Sequence, residues 1–164
     1  MPAPLRIRVI SVGGTIDKIY FDSASAFEVG DPQVVPVFAE ANVTFEYVVE
    51  SVLRKDSLEM TDADRSLVRE RVVAAPERHI LITHGTDTMA ETAAALGGVG
   101  DKVIVLTGSM LPARFRTSDA VFNIGLAVGA LQALSPGAYI AMNGRIFCAG
   151  NVQKNRAAGR FEEI

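Results

Sequence analysis

Polar side chains that can do chemistry follow three of the apolar segments of this sequence, at the point where each segment ends. LITHGTDTMAET, residues 81–92, changes abruptly from an apolar run to Thr86 and Asp87, and SVGGTID places Thr15 after the first apolar run. A third run ends in TGSM, residues 107–110. Hydroxyl and carboxylate groups at the ends of core strands are costly to bury unless something there uses them. We therefore expect these turns to form a ligand site.

Apolar runs of strand length alternate with amphipathic segments along the chain. Helices are predicted over residues 61–75, 88–98 and 118–134. The alternation predicts the α/β class: a doubly wound, mainly parallel five-stranded sheet covered on both faces, a three-layer architecture of the flavodoxin-like or Rossmann-like kind. The predicted strands are residues 5–12, 43–50, 79–84, 102–108 and 138–143.

The predicted strand order decides which turns meet. In a doubly wound sheet, ligands bind beyond the carboxyl ends of the strands, where the strand order reverses. With the order 2-1-3-4-5, strands one and three are neighbours, so that Thr15, Thr86 and Asp87 face one crevice. Gly14 lets the backbone approach a ligand closely because it has no Cβ. Residues 13–33 are predicted to be an irregular loop that acts as a mobile lid.

Composition limits the classes of partner. The chain has 164 residues, 19 acidic and 16 basic side chains, a net charge of −3 and no tryptophan, which gives no reason to expect nucleic acid or an anionic membrane as partner. This length fits one domain over residues 1–164. The single cysteine, Cys148, excludes an internal disulfide and fits a reducing compartment. Because the first apolar run reads as a strand and no run has transmembrane length, we predict a cytoplasmic protein.

Four motifs, SVGGTID, ITHGTDTMAETA, TGSMLPA and NVQK, together resemble the bacterial-type L-asparaginases of the asparaginase/glutaminase superfamily. The motifs occur in order and at compatible spacing, and the match covers essentially the whole chain. Members of that family usually carry a second, smaller C-terminal domain, and this sequence stops about where that domain would begin. The resemblance therefore implies the short, single-domain branch, with residues 1–164 as a single asparaginase N-terminal-type domain.

The resemblance also implies a set of catalytic residues for amide hydrolysis. The family uses a threonine of the GGT turn as nucleophile, which corresponds to Thr15, together with a Thr-Asp pair and a lysine, which correspond to Thr86, Asp87 and Lys154. A lysine kept neutral in a dry pocket can accept the threonine proton, directly or through water. A tyrosine beyond the first strand assists the nucleophile in the family. The resemblance implies this role for Tyr20, which lies closer to the nucleophile than in the long enzymes. Which of the two threonines attacks first is left open.

Substrate contacts follow from the same resemblance. Ser57 in SLEM corresponds to a serine that holds the substrate α-carboxylate, although the glutamine that usually follows it is Leu58 here. Asp87 would also hold the substrate ammonium, and the backbone carbonyl of Ser109 would face the amide nitrogen. The acid that long members bring from the second domain has no match. The predicted substrate-binding residues are Gly14, Ser57, Gly85 and Ser109.

Each of these residues also has a purely structural interpretation. Thr15 could cap the segment that follows it, and Thr86 with Asp87 could be a helix N-cap pair. Lys154 could be a solvated surface lysine, and Tyr20 could serve packing. His84 is interpreted as a strand-end hydrogen-bonding residue rather than a ligand, and no metal site is predicted.

The predicted function is that of an L-asparaginase-like amidohydrolase that needs no cofactor or metal and converts L-asparagine, and L-glutamine weakly, to the acid and ammonia through an acyl-enzyme. A catalytically silent module that senses amides or amino acids is the alternative. A nucleotide binder is disfavoured because GGTID is not a phosphate-binding loop. Because the segment VFNIGLAVGALQAL is apolar nearly all round, we expect a homodimer or homotetramer.

Overall fold

The computed structural model describes residues 3–21 and 26–164. Its helices are α1 (Val34–Glu40), α2 (Asp62–Ala74), α3 (Met89–Ala95) and α4 (Ala120–Ala133), with short 3₁₀ helices at Thr15–Asp17 and Ser57–Glu59. Its strands are β1 (Arg6–Gly13), β2 (Lys18–Phe21), β3 (Ala26–Val29), β4 (Glu46–Lys55), β5 (His79–Thr83), β6 (Val103–Thr107), β7 (Gly137–Met142), β8 (Arg145–Cys148), β9 (Val152–Asn155) and β10 (Arg160–Glu163).

Within residues 3–21 and 26–164, the central sheet has six strands in the order β4-β1-β5-β6-β7-β8. The first five are parallel, and β8 pairs antiparallel with β7 at the edge. The α/β class and the mainly parallel sheet are therefore confirmed, and the five predicted strands occur in the predicted order. The sixth strand was not predicted. It follows a tight turn at Asn143 and Gly144, both with positive φ (55° and 73°), which is the sequence signal for a hairpin.

Both faces of the sheet are covered, as the sequence predicts. Along β1, the side chains of Ile7 and Val9 belong to the core under α1 and α4, whereas Ile10 and Val12 belong to the core under α2 and α3. Successive strand residues point to opposite faces, so a strand buried on both sides reads as a continuous apolar run. Because helices cover both faces of the sheet, the carboxyl ends of the strands are where polar side chains can meet a ligand.

The segment 13–33 differs from the predicted irregular loop. Its described part contains the 3₁₀ turn at Thr15–Asp17 and an antiparallel pairing of β2 with β3 in which Tyr20 lies opposite Phe27. Residues 22–25 of the predicted lid lie outside the described residues. Helix α1 was also missed: it is short and contains Pro36, which a first helical turn tolerates.

Backbones touch where β1 and β5 end. Gly14 has φ 87°, and a Cβ there would lie 2.4 Å from the N and Cα atoms of Gly85. The Gly14 N–H also donates a hydrogen bond to the Lys55 carbonyl at the end of β4 (2.9 Å). Only glycine meets both demands, a positive φ and no side chain. The turns after β1, β4 and β5 are consequently held together at one point.

Replacing Gly14 with alanine should lower the free energy of unfolding by about 2–4 kcal/mol, because the new Cβ meets backbone and the φ angle is unfavourable. The measurement is urea denaturation followed by circular dichroism. Gly97→Ala is the matched control, since a Cβ there makes only an ordinary contact of 3.5 Å. Equal stability of the two variants would contradict the close contact at Gly14.

Candidate functional site

Lys154 joins two of the predicted catalytic residues. Its Nζ donates hydrogen bonds to Thr86 Oγ1 at 2.8 Å and to Asp87 Oδ1 at 2.9 Å. A contact of this length between a hydroxyl and an amine is within reach of proton transfer. The side chain of Lys154 is 14 % exposed, so the contact is shielded from most of the solvent. Lys154 is 68 positions from Thr86 and 67 from Asp87 in the chain. We call these three residues the lysine cluster.

The hairpin of β9 and β10 positions Lys154. Alternate residues of a strand lie on one side, and Val152, two residues before Lys154, is buried in the core under α2 and α3. Phe161, which pairs with Lys154 across the hairpin, is buried in the same core. These two apolar anchors turn the lysine toward the end of β5.

Thr86 and Asp87 lie between β5 and α3. Thr86 is 8 % exposed, and its Oγ1 is 3.8 Å from the sulfur of Met110, in the turn after β6. Asp87 Oδ1 also lies 3.5 Å from Nε of Arg156, so two basic side chains face this carboxylate. A cavity of about 470 Å³ opens here, and residues of the lysine cluster line it together with Glu91 and Arg156.

Thr15 begins the 3₁₀ turn that follows β1 and is half-buried. The contact between Gly14 and Gly85 brings the residues that follow them, Thr15 and Thr86, into neighbouring positions. Among the described residues, no hydrogen bond links the Thr15 hydroxyl to the lysine cluster. The cavity beside the lysine cluster is lined by Thr86, Asp87 and Lys154, and Thr15 is not among its described lining residues, so the single crevice with Thr15 stays a prediction.

The two predicted substrate-binding serines are buried. Ser57 is 1 % exposed; its Oγ accepts a hydrogen bond from the Thr88 N–H at 3.2 Å, and its Oγ lies 2.8 Å from where a Cβ on Gly85 would be. Ser109 is also buried, and its hydroxyl donates to the Leu111 carbonyl. Both hydroxyls therefore hold the turns at the strand ends, and the substrate contacts assigned to these two residues stay predictions.

Tyr20 is more exposed than a residue in a closed site, at 51 %. Its ring packs on Phe27 with centroids 5.4 Å apart, and Phe27 in turn packs on Phe115 at 5.5 Å. Over the described residues, no hydrogen bond joins the Tyr20 hydroxyl to Thr15. The ring contact with Phe27 supports the packing interpretation of Tyr20. The catalytic interpretation stays a prediction.

His84 is fully buried and serves the strand end, as interpreted from the sequence. Because a carbonyl only accepts, Nδ1 carries the proton and donates it to the Gly85 carbonyl (2.7 Å), and Nε2 accepts from the Thr92 hydroxyl (2.8 Å). Burial lowers the pKa of His84 to about 4, because charging the ring would require desolvating an ion. The imidazole is therefore neutral and holds the backbone between Gly85 and α3.

Sequence reasoning missed the role of Asp119, which directly precedes α4. Its carboxylate accepts the N–H groups of Met110 (3.0 Å) and Leu111 (3.2 Å), and the Asn123 side-chain amide (2.9 Å). The Ser118 hydroxyl accepts the Ala120 N–H at the helix start (3.0 Å). Asp119 thus shapes the turn after β6, and its place just before a helix hid this role.

The fold and site define an α/β protein with threonine hydroxyls, a carboxylate and a lysine at the carboxyl ends of parallel strands. Residues 6–161 match the family model described as "Asparaginase, N-terminal". The chain is 31% identical over 163 residues to an L-asparaginase of Thermococcus kodakarensis (94% of this chain, 49% of that protein). It is 37% identical over 123 residues to a glutaminase-asparaginase of Acinetobacter glutaminasificans (70% of this chain, 36% of that protein).

A solved structure, the thermostable L-asparaginase from Thermococcus kodakarensis, superposes with a TM-score of 0.86 at 28% identity, covering 98% of this chain and 51% of that one. The chain belongs to the asparaginase family. It spans about half or less of the length of these relatives.

Stability should depend on pH through His84. Its pKa is about 4 when folded and about 6.5 when unfolded, so its contribution is fully present above pH 6.5 and is lost as the pH falls toward 4. The loss should be about 1.4 kcal/mol per pH unit in that window. Urea denaturation between pH 4 and 7 should show this slope in the difference between wild type and His84→Gln. His79→Gln, which removes the less buried histidine, is the control. If the stability difference from wild type changed with pH equally in both variants, the buried neutral ring of His84 would be contradicted.

Proposed function

We propose that this protein is an L-asparaginase-type amidohydrolase that hydrolyses the side-chain amide of L-asparagine to L-aspartate and ammonia. The observation that carries the proposal is the double contact of Lys154 with Thr86 and Asp87. A hydroxyl, a base candidate and a carboxylate that orients the base are the parts that nucleophilic amide hydrolysis requires. The named activities of the two relatives support this substrate class. The name glutaminase-asparaginase also supports use of L-glutamine, which we propose as the weaker substrate.

In the proposed first step, the Thr15 hydroxyl oxygen attacks the amide carbon of asparagine. The threonine proton passes to neutral Lys154, directly or through water, and then to the leaving nitrogen, which departs as ammonia. The product is an ester between Thr15 and the aspartyl group. A water molecule then attacks the ester carbonyl, releasing aspartate and restoring the hydroxyl. No cofactor or metal enters this sequence.

The contacts of Lys154 also permit Thr86 to act first, because Thr86 is the threonine that the lysine touches. In that case Thr86 forms the ester, and Thr15 donates to the developing oxyanion or positions water. Mass spectrometry of acid-quenched enzyme distinguishes the two sequences, since the aspartyl adduct stays on the peptide with the attacking threonine. We assign the attack to Thr15 on the resemblance of GGT to the family motif.

Thr15→Ala and Lys154→Met should each lower kcat for asparagine by on the order of three decades or more, because a nucleophile or its base is lost. Thr117→Ala, an exposed threonine in a loop, should keep full activity. Ammonia release is the measurement, with circular dichroism to check folding. More than a tenth of wild-type turnover in Thr15→Ala would contradict its assignment, and saturable asparagine binding without turnover in the wild type would favour the sensor alternative.

We also propose that the protein is a homodimer or homotetramer that uses one face of α4. Val121 and Phe122 are exposed there, Phe122 at 65 %. Gly125 and Gly129 follow along the same helix with open space around them. An apolar helix face of this kind is typical of a contact with another chain. A second copy is the occupant we propose, because a symmetric contact buries the same helix face on both partners.

Phe122→Glu should shift the protein toward the monomer, because the contact would bury a charge. Sedimentation velocity across micromolar and sub-micromolar concentrations measures this. Val73→Glu adds the same charge at an exposed apolar position of α2 and should leave the mass unchanged. A wild-type monomer at every concentration would contradict the proposal.

The remaining proposals concern organisation and location. We propose that residues 1–164 act as one asparaginase N-terminal-type domain and that the protein is cytoplasmic, in keeping with its single cysteine. In the described part of the chain, none of the helices has the length and apolar character needed to cross a bilayer.

A further inference from the structure

Asp17 is a buried carboxyl group that the proposed reaction does not use. It lies two residues beyond Thr15 on the same 3₁₀ turn and is 0 % exposed. Its Oδ2 accepts a hydrogen bond from the Ser11 hydroxyl (3.0 Å), and its Oδ1 accepts one from the Gln33 N–H (2.8 Å). Burying a carboxyl group costs free energy, and this one lies two residues from the proposed nucleophile, Thr15.

The backbone of Asp17 is bonded as well. Its N–H donates to the Gly14 carbonyl (3.2 Å), and its carbonyl accepts the Gly30 N–H (2.8 Å). Through side chain and backbone together, Asp17 connects three segments: Ser11 in β1, the turn that carries Thr15, and the residues that lead into α1. The conformation of that turn therefore depends on hydrogen bonds to this one residue.

The charged groups around Asp17 are engaged elsewhere. Arg54 of β4 pairs with Asp31 (2.7 Å), and Lys18 of β2 pairs with Asp56 (3.4 Å). From the loop after β6, Arg114 binds the Gln33 side-chain oxygen (3.0 Å) rather than the carboxyl of Asp17. Within residues 3–21 and 26–164, neither carboxyl oxygen of Asp17 contacts a cation.

Burial of the Asp17 carboxyl without a paired cation changes its pKa. Burial raises the pKa of Asp17 to about 6, against the opposing effects of the Gln33 and Ser11 hydrogen bonds and of Arg54. Near neutral pH both protonation states are therefore accessible. The two states make different hydrogen bonds, since an ionised carboxylate only accepts, whereas a protonated one also donates.

We propose that Asp17 is the positioning residue of the nucleophile, and that its ionised form holds the turn of Thr15 in the productive conformation. The ionised carboxylate accepts from Ser11 and Gln33 at once, which fixes the turn between β1 and the approach to α1. Protonation of Oδ2 makes it a donor, so the Ser11 hydroxyl has to turn and accept instead, and the negative charge that strengthens both hydrogen bonds is lost. Turnover should then fall as the pH drops below about 6. This inference rests on the proposed function for its kinetic part.

The experiment combines a structural and a kinetic titration of the whole chain. The backbone amide signals of Thr15 and Gln33 are followed by ¹H–¹⁵N nuclear magnetic resonance from about pH 4.5 to about pH 8, a range that brackets the expected midpoint. The kcat/KM for L-asparagine is measured over the same range. In the wild type we expect both amides to shift with one midpoint near pH 6, and kcat/KM to decline below that midpoint.

Three variants test the assignment. Asp17→Asn, which keeps the size but cannot titrate, should lose both the amide titration and the bend in kcat/KM. Ser11→Ala removes a hydrogen bond that favours the ionised form, and should move both midpoints to higher pH. Glu28→Gln makes the same acid-to-amide change at an exposed position of β3 and should retain the wild-type profile.

Retention of the amide titration and the kinetic bend in Asp17→Asn would overturn the proposal, as would an amide titration in the wild type without a bend in kcat/KM. A purely structural role predicts lower stability of the variants but no change in the midpoints. If the wild type hydrolyses no asparagine at any pH, the proposed function fails. In that case the amide titration alone still decides whether the charge of Asp17 reaches the Thr15 turn.

Discussion

The backbone contact between Gly14 and Gly85 is the constraint on which the rest of the site depends. It is possible only because β1 and β5 are parallel neighbours that end together and because neither turn carries a side chain at the point of contact. The turns that carry Thr15 and Thr86 approach each other as a result. Ser57 fills the remaining space beneath Gly85, so the same contact also fixes the segment after β4.

A second constraint is electrostatic. Lys154 is largely buried and bound to Asp87, and such a pair is stable only when its hydrogen-bonding groups are satisfied. Thr86 supplies one of these groups and Arg156 adds a further cation beside Asp87. A lysine that serves as a base must be neutral at the moment of transfer. Arg156 lies 3.5 Å from the same oxygen of Asp87, so this carboxylate has a second basic side chain beside it.

Much of the fold could be predicted because short stretches of the sequence, its apolar runs and helix-capping residues, determine the strands and helices locally. The apolar runs and helix signals predicted the parallel sheet and its order, and the resemblance predicted that Lys154 meets Thr86 and Asp87. The missed edge strand β8 had a local signal as well, the Asn143-Gly144 pair between two apolar segments. The roles of Asp17 and Asp119 could not be predicted in this way, since both depend on backbone groups that folding brings to them from other segments.

The hairpin of β9 and β10 gives the site an order of assembly. A ribosome delivers the chain from its N-terminus, so all six strands of the central sheet and both threonines emerge before Lys154 does. The hairpin is anchored by only a few buried apolar residues, Val152 and Phe161 among them. A nascent chain can therefore complete its central sheet while it still lacks the proposed base, and the proposed amide hydrolysis becomes possible only when the hairpin of β9 and β10 docks.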